Sequence, residues 1–528
     1  MSISKKITIL AALGAALGVS SCKKYLDVNT NPNGAQVATV STLLPAAQLY
    51  LGTAQGVDLE IAGSFFAQYW TQSPGASQYH NLDQYAPGQD AFIYAWNNLY
   101  SANENFFQLY KLADSQKAAP YMAISLLMQA YTFQLITDAW GDVPFTQALK
   151  GQYADGHIVN PKYDSQMVVY NGILAYIDSA NVLLAKGGTA PKSDDLVYGG
   201  DMTKWQEFAN TLALRIYMRM SEINPTATAA GIAALYANPT TATFIGAQAG
   251  DDAVIKYGFN SANSNPLYAE ETGLQNIQNF VASNTCLDSL ISNNDPRLYL
   301  FYQPVSGSAS FAGLPQGLYN GVAYTGYSFP TVYVGADAQN LGKTTNFNSG
   351  NAPVNFITSY ESFFLQAEAV ARGWAPATTS DNDLFYDGIQ ASFNYYSAQL
   401  SDVYGPPVDS SNPLSISIYH DYISGLGLGT APGAWTVYPA TGTTAQKIQY
   451  IIVQKWFAMC GNQGFEAWCE WRRTGYPNWF TYSVSSIIGN TFPKRLTYPS
   501  NESTVNSSFP GLQPLTAKVW WDSDPADH

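Results

Sequence analysis

Residues that could hold a ligand are concentrated in three irregular stretches of the chain, which are rich in aromatic and neutral polar side chains. A flat ring offers an apolar face to the C–H groups of a ligand, and nearby amide, carboxylate or hydroxyl groups fix the ligand's orientation. Such residues bind neutral polyhydroxyl compounds without a covalent step. The candidates are Trp70, Tyr79, Asn81, Asp83 and Tyr85 in the first stretch, Tyr319, Asn320, Tyr324, Tyr327 and Tyr333 in the second, and Trp435 in the third.

The same rings could instead pack a long loop onto the body of the protein. A tyrosine is held rigid by fixing two side-chain torsions, so it serves a binding surface and a packed loop equally well. Residue type alone therefore leaves both interpretations open for each candidate.

No sequence pattern indicates a catalytic centre. The chain has no H-E-x-x-H, C-x-x-C, G-x-S-x-G or G-x-G-x-x-G motif, and its four histidines are scattered. A glycoside hydrolase needs two carboxylates about 5–10 Å apart, and the sequence singles out no such pair among 38 acidic residues. We expect a protein that is not an enzyme and uses no cofactor or metal, with glycoside hydrolysis as the less favoured alternative.

The charge and composition argue against several classes of partner. The formal net charge of −14 disfavours nucleic acid and a polybasic contact with a membrane. Charged residues make up 12% of the chain, against about 25% in average globular proteins. Neutral polar and aromatic residues, including 37 Tyr and 12 Trp, take their place, which suits an uncharged ligand.

The N-terminal segment has the pattern of an export signal. Two lysines precede residues 7–19, which are apolar or small apart from one threonine and are too few to cross a hydrocarbon core of about 30 Å. Small residues lie directly before Cys22, as in a bacterial lipoprotein box. We expect 1–21 to be a lipoprotein signal peptide, Cys22 to carry the lipid, and 22–528 to form a single domain. An ordinary signal peptide followed by an unrelated cysteine is the alternative.

The remaining cysteines do not form a disulfide framework. Cys286, Cys460 and Cys469 are an odd and sparse set in an exported chain of this length. A bridge between Cys460 and Cys469 and a set of buried free thiols are both consistent with the sequence.

Helical periodicity dominates the first half of the chain and returns near its C-terminus. In residues 120–141, Pro120 suits a first helical turn, Gly141 suits a C-terminal stop, and small and large apolar residues alternate at spacings of three and four. This face allows helices to approach closely, as in stacked helical hairpins. Similar patterns occupy residues 91–113, 165–185, 204–223, 357–374, 385–400, 445–460 and 463–475.

Three stretches lack this periodicity, at residues 71–90, 299–356 and 402–444. Loops of this length in a compact protein are more often functional than mere connections. The sequence therefore predicts a mostly α-helical scaffold with large irregular loop insertions.

Seven blocks of the sequence carry a recognisable pattern. They are "CKKYLDVNTNPNGA" (22–35), "DAWGDVPFTQAL" (138–149), "YDSQMVVYNGIL" (163–174), "DLVYGGDMTKWQEFANTLALRIYMRMS" (195–221), "NDPRL" (294–298), the helix at 357–374 and "QKWFAMCGNQGFEAWCEWRRTGYP" (454–477). Together these blocks resemble the SusD/RagB family, particularly its SusD-like nutrient-binding branch from Bacteroidetes. They occur in the family's order and span essentially the whole of 22–528. In the last block, Arg472 and Arg473 could bind an anion, but we expect packing and salt bridges to nearby carboxylates instead, and a structural pair of Lys455 with Glu466.

The resemblance implies a SusD-like fold in which tetratricopeptide-like helical hairpins form one face. It also implies a cell-surface lipoprotein of the outer membrane, anchored through Cys22, that captures an oligosaccharide or another nutrient. Such proteins act as the lid of a SusC-type TonB-dependent transporter, without catalysis. The family's ligand surface is made by insertions away from the repeats, which favours the first two loop stretches. Its contact residues form no fixed motif, so none is carried over.

Two further functions fit the same sequence. The ligand could be a peptide or another non-glycan nutrient, although the neutral loops favour a glycan. The chain could also be a purely structural subunit that closes the transporter and binds no ligand itself.

Overall fold

The computed structural model describes residues 38–237, 242–248, 250–258, 260–343, 347–404, 414–425 and 433–523. The predicted signal peptide, Cys22 and the start of the predicted domain lie outside the described residues. The predicted mostly α-helical fold is confirmed. The helices are α1 Val40–Ala54, α2 Glu60–Phe66, α3 His80–Asp83, α4 Ile93–Ser115, α5 Ala119–Trp140, α6 Gln166–Lys186, α7 Met202–Arg219, α8 Pro225–Tyr236, α9 Pro266–Gly273, α10 Asn284–Ser292, α11 Leu298–Phe301, α12 Ser359–Ala371, α13 Asp381–Tyr404, α14 Ile416–Ser424, α15 Thr444–Ala458, α16 Gly464–Thr474 and α17 Ser500–Val505.

Short strands join separate segments of the described chain, and two of the three pairs link segments that are about 100 residues or more apart. They are β1 Trp70–Gln72, β2 Val143–Pro144, β3 Tyr163–Asp164, β4 Ala253–Ile255, β5 Phe280–Ala282 and β6 Val354–Ile357. The pairs β1–β5, β2–β3 and β4–β6 are all antiparallel. Each pair therefore joins two segments of the chain and does not form part of a larger sheet.

The helix boundaries follow from local signals in the sequence. Pro120 lies in the first turn of α5, where its missing N–H costs nothing, and Gly141 ends the helix with a φ of 84°. The carboxylate of Asp201 begins α7 by accepting from the N–H groups of Thr203 and Lys204. The periodic segments identified in the sequence are all helical here, which confirms them.

The long helices pack as hairpins, and small residues set their spacing. Helix α5 is almost entirely buried and packs between α4 and α6. A Cβ on Gly172 of α6 would lie 2.2 Å from the ring of Phe145, which belongs to the segment that joins α5 to α6. In the hairpin of α12 and α13, a Cβ on Gly388 would lie 2.7 Å from the ring of Phe364. Close approach therefore needs glycine at these positions, as expected for tetratricopeptide-like pairs.

A buried network of ion pairs ties α16 to its neighbours. Arg219 of α7 donates to Glu470 over 2.7 Å and to Glu466 over 2.5 Å, and its Nε lies 3.3 Å from the Asp138 carboxylate of α5. All four side chains are buried. Burial opposes the ionisation of Glu466, but Arg219 and other nearby cations outweigh it and lower its pKa below the ordinary value. The carboxylate therefore stays charged inside the protein.

Arg473 extends this network to α12. Its guanidinium donates to Glu368 over 2.7 Å and to Glu470 over 2.6 Å. Arg372, four residues after Glu368, donates to it over 2.8 Å, so this i,i+4 pair joins the same cluster. Lys455 lies 3.9 Å from Glu466 and 3.5 Å from Glu470. The predicted structural ion pairs of Arg473, and of Lys455 with Glu466, are thus confirmed.

Arg472 also has a structural place. It donates to the backbone carbonyls of Asp138 and Lys494, each over 2.9 Å, and its guanidinium lies 3.7 Å from the ring centroid of Trp468. Its donors are directed into the protein core, so the alternative of an anion site at Arg472 is not supported by this geometry.

By length and composition alone, helix α6 is apolar enough to cross a membrane. It lies against α5 and α7, and residues including Val169, Ile173 and Ile177 face the core. Core helices of folded proteins commonly show this combination, so its length and composition assign it no membrane role.

The three described cysteines are free and buried. The Sγ atom of Cys460 lies 3.8 Å from that of Cys286, not near Cys469, whose sulfur accepts from Arg472 over 2.9 Å. Of the two sequence interpretations, the structure therefore shows free thiols. Burial raises the pKa of Cys469 to about 12, which keeps that thiol protonated at neutral pH.

Helices α2 and α16 meet at backbone distance, and we expect Gly63→Ala to destabilise the protein. A Cβ on Gly63 would lie 2.0 Å from the backbone N of Phe465, which cannot move without shifting the whole of α16. Overpacking of this kind costs about 3 kcal/mol. Urea unfolding should show the loss, whereas Gly88→Ala, with nothing within 4 Å of the added atom, should unfold as the wild type does. Equal stability of the two variants would contradict this close contact.

Candidate ligand-binding cleft

Backbone pairing brings the predicted loop stretches together. Strand β1 runs antiparallel to β5, with Trp70 opposite Ala282 and Gln72 opposite Phe280. Directly after β5, Ser283 forms a parallel bridge with Leu314. Three segments therefore meet on one side of the β1–β5 pair: the loop that follows β1, the turn that precedes β5 and the loop that follows Leu314.

The side chain of Asp83 holds these segments together through hydrogen bonds. Its carboxylate accepts from the Thr71 hydroxyl over 2.6 Å, from the Gln72 N–H over 2.8 Å and from the Gln316 amide over 2.7 Å. The side chain is fully buried, and burial raises its pKa to about 6. Asp83 is therefore a structural anchor for both loops.

The loops enclose a cleft of about 960 Å³. This volume is at the upper end of the usual range for small-ligand sites. Its lining residues come from 74–80, 273–279 and 319–324, and they are mainly small, amide-bearing or aromatic. No Asp, Glu, Lys or Arg is among the described residues that line it.

Two stacked rings form part of the cleft wall. The imidazole of His80 lies 3.9 Å from the ring centroid of Tyr319, at an interplanar angle of 12°. The Tyr319 hydroxyl accepts from the Gln84 amide over 2.8 Å. Tyr324, at the rim, leaves 73% of its surface exposed. The wall is therefore rigid at its base and offers a free ring at its mouth.

Polar groups complete the lining. Gln78, Gln275 and Asn320 carry side-chain amides at the cleft, and Ser77 adds a hydroxyl. Amides and hydroxyls both donate and accept, as a ligand rich in hydroxyl groups requires. The arrangement can therefore hold a neutral polar ligand by stacking and hydrogen bonding.

A buried carboxylate supports one wall from behind. Glu271 accepts from the Tyr79 hydroxyl and from the side-chain amide of Asn279, each over 2.8 Å. Burial raises the pKa of Glu271 to about 7, in spite of these two donors. The turn at 273–279 is thus linked to the first loop through an ionisable group.

Several candidates from the sequence lie inside the protein. Trp70 is fully buried and stacks on Phe280 at 4.8 Å, and Tyr85 is buried with its ring edge towards Phe66. Together with Asp83 they are covered by the loops that they support. The expectation that these side chains lie on a ligand surface is therefore wrong for this structure.

The other candidates divide between the cleft and its surroundings. Of the first two stretches, Asn320 and Tyr324 line the cleft with exposed side chains, and Tyr319 contributes a ring that is only 3% exposed. Outside its lining, Asn81 is exposed, and Tyr79, Tyr327 and Tyr333 are half-buried. Trp435 lines a separate groove. Ligand contact stays a prediction for the residues at the cleft and at the groove.

Sequence reasoning missed part of the lining. His80 belongs to the first loop but was not among the candidates, and its stacking on Tyr319 depends on a contact 239 positions away. The turn with Gln275 and Asn279 carries no aromatic cluster and lies outside the predicted insertions. Only the β1–β5 pairing reveals that it faces the other loops.

The sequence of the chain matches the model of a known protein family. A family model described as SusD-like, "starch-binding associating with outer membrane", matches residues 32–499. The chain belongs to the SusD-like family. This confirms the SusD/RagB resemblance and supports a nutrient-binding role at the outer membrane. No curated protein matches the chain.

Solved structures share the SusD-like fold over nearly the whole chain. A SusD/RagB family protein from Bacteroides thetaiotaomicron is 21% identical, with a TM-score of 0.71, covering 92% of this chain and 99% of its own. A chitin-binding SusD homologue from Flavobacterium johnsoniae is 21% identical, with a TM-score of 0.68 and coverage of 93% and 100%. A protein named as chitin-binding is 25% identical, with a TM-score of 0.70 and coverage of 90% and 99%.

The raised pKa of Glu271 predicts a pH-dependent stability. A carboxyl whose pKa rises from 4.5 to about 7 on folding binds its proton more tightly in the folded state. The free energy of unfolding should therefore fall as pH rises from about 4.5 through about 7, by on the order of 3 kcal/mol. Glu271→Gln should flatten this dependence in urea titrations at pH 5 to 8.

Glu270→Gln is the matched control, because that neighbouring side chain is exposed. It should keep most of the pH dependence of the wild type. Parallel pH profiles for the wild type and Glu271→Gln would show that Glu271 does not titrate in this range.

Proposed function

We propose that this chain binds an oligosaccharide in the cleft and delivers it to a SusC-type TonB-dependent transporter, for which it acts as a lid. The neutral cleft with an exposed tyrosine at its rim carries the proposal. Stacking on Tyr324 and hydrogen bonds to the amides at Gln78, Gln275 and Asn320 would supply affinity and orientation. The family's description as starch-binding supports a glycan ligand.

The lining favours capture over catalysis. Glycoside hydrolysis needs a carboxylic acid and a carboxylate on either side of the scissile bond. The described residues that line the cleft include no carboxylate, and Glu271 behind the wall is engaged by Tyr79 and Asn279. We therefore propose a binding protein without hydrolytic activity.

A peptide is the second candidate ligand. Peptides carry charged termini and often charged side chains, which are best matched by opposite charges in the site. The absence of Asp, Glu, Lys and Arg from the described lining favours a neutral glycan instead. Two similar structures are of proteins named as chitin-binding, so chito-oligosaccharides and malto-oligosaccharides are the first ligands to test.

Calorimetry with these oligosaccharides tests the site through Tyr324→Ala. Loss of one stacking contact should cost about 1 kcal/mol or more, which is at least about fivefold in affinity. Tyr94→Ala removes a ring of the same 73% exposure, on α4, and should leave affinity unchanged. Equal affinities for both variants would remove Tyr324 from the site. Release of shorter sugars during the titration would instead favour the hydrolase.

The proposed anchor is tested at Cys22. In the native host, Cys22→Ala should abolish labelling by a radioactive fatty acid and release the protein from the outer-membrane fraction, since acyl chains provide the membrane affinity. The wild type should be labelled and should co-purify with a TonB-dependent barrel. Labelling that persists in the variant, or a wild type that never co-purifies with a barrel, would contradict the proposed assembly.

A further inference from the structure

A second groove, of about 640 Å³, is lined in part by Pro315, which lies four residues before Tyr319 of the cleft wall. Two half-buried tryptophans line it, Trp435 and Trp479, with ring centroids 5.3 Å apart and an interplanar angle of 30°. Facing them is one side of α10, which contributes Asn284, Asp288 and Ser289. Aromatic rings opposite hydrogen-bonding side chains are again the chemistry of a sugar site.

The rings of this groove are held in place. The indole N–H of Trp479 donates to the Ser289 hydroxyl over 2.9 Å. The backbone N–H of Trp435 donates to Asn293 over 3.2 Å, and its carbonyl accepts from Gln454 over 3.1 Å. A ring that is already rigid loses little conformational freedom when a ligand stacks on it.

Both walls of the groove are fastened to one buried side chain. The Gln68 amide oxygen accepts from the Thr285 hydroxyl over 2.6 Å and from the Thr481 N–H over 3.1 Å, and its amide nitrogen donates to the Thr481 carbonyl over 2.5 Å. Gln68 is fully buried and has a φ of 58°, a conformation that a non-glycine residue adopts at a cost. The surrounding hydrogen bonds hold it there.

The same buried segment, residues 68–72, therefore forms the floor of both the cleft and the groove. Gln68 holds the walls of the groove, and Thr71 and Gln72, three and four residues further on, bind Asp83 below the cleft. Pro315 lines the groove and Tyr319 lines the cleft. Their Cα atoms are four residues apart, so they lie within about 14 Å of each other even if the chain between them is fully extended.

We propose that the Trp435–Trp479 groove is a second saccharide subsite, in which a longer oligosaccharide continues beyond the cleft. Trp479 would stack on a sugar ring, and the Asp288 carboxylate would accept from its hydroxyl groups. This inference rests on the proposed function, since it assigns the same ligand class to both sites. A chain that occupies two linked subsites gains affinity because the second contact is intramolecular.

Calorimetry with chito-oligosaccharides and malto-oligosaccharides of two to eight sugar units tests the subsite. Wild-type affinity should rise with length until the chain spans both sites. Trp479→Ala should lower the affinity for long chains by at least about fivefold and leave short chains unchanged, whereas Tyr324→Ala should weaken both.

Asp288→Ala provides an independent measurement, because this carboxylate is exposed and forms no ion pair with the described part of the chain, so its loss should not disturb the fold. It should also weaken only long chains, and Asp178→Ala, an exposed carboxylate on α6, is its control. Wild-type affinity with Trp479→Ala and Asp288→Ala at every length would overturn the subsite and leave the proposed function standing. A wild type that binds none of the glycans would overturn both.

Discussion

The structure depends on a set of charges buried where α16 meets its neighbours. Two consecutive turns of that helix carry Glu466, Glu470 and Arg473, and their partners come from α5, α7 and α12. Removing one member of a buried pair leaves an uncompensated charge, which typically costs about 3–5 kcal/mol. A network of this kind selects one arrangement of helices, because any other would leave some of these groups without a partner.

The same helix positions the side of the molecule that carries the cleft and the groove. The first backbone N–H of α16, at Gly464, donates to Glu60 over 2.9 Å, and Gly63 contacts the next residue's backbone. Both belong to α2, which leads directly into Gln68 and β1. The floor beneath the cleft and the groove is therefore a continuation of the packed core, although the surfaces above it are irregular loops. Rigid support of this kind is what a site built from loops requires.

The sequence predicted the scaffold better than the site, for a physical reason. Helix periodicity and end signals such as Pro120 and Gly141 are local, so the helices could be assigned from short segments. The ion pairs could be expected because charged residues in an apolar block need partners. In contrast, whether Trp70 or Tyr324 faces solvent depends on strand pairing across more than 200 residues. Both residues are aromatic and lie in predicted loop regions, yet Trp70 is in the core and the ring of Tyr324 is largely exposed to solvent. The contributions of His80 and Trp479 have the same origin.

The division between floor and rim bears on how such a protein can diversify. Asp83 and Gln68 hold the backbone from beneath, whereas Tyr324, Asn320 and Gln275 project from loop tips and carry little of the packing. Exchanges at the tips can accumulate with small effects on folding, while exchanges at the anchors cannot. Substitutions at a few rim positions could therefore change which nutrient such a protein binds while leaving its fold intact. Paralogues that bind different nutrients are expected to differ first at those positions.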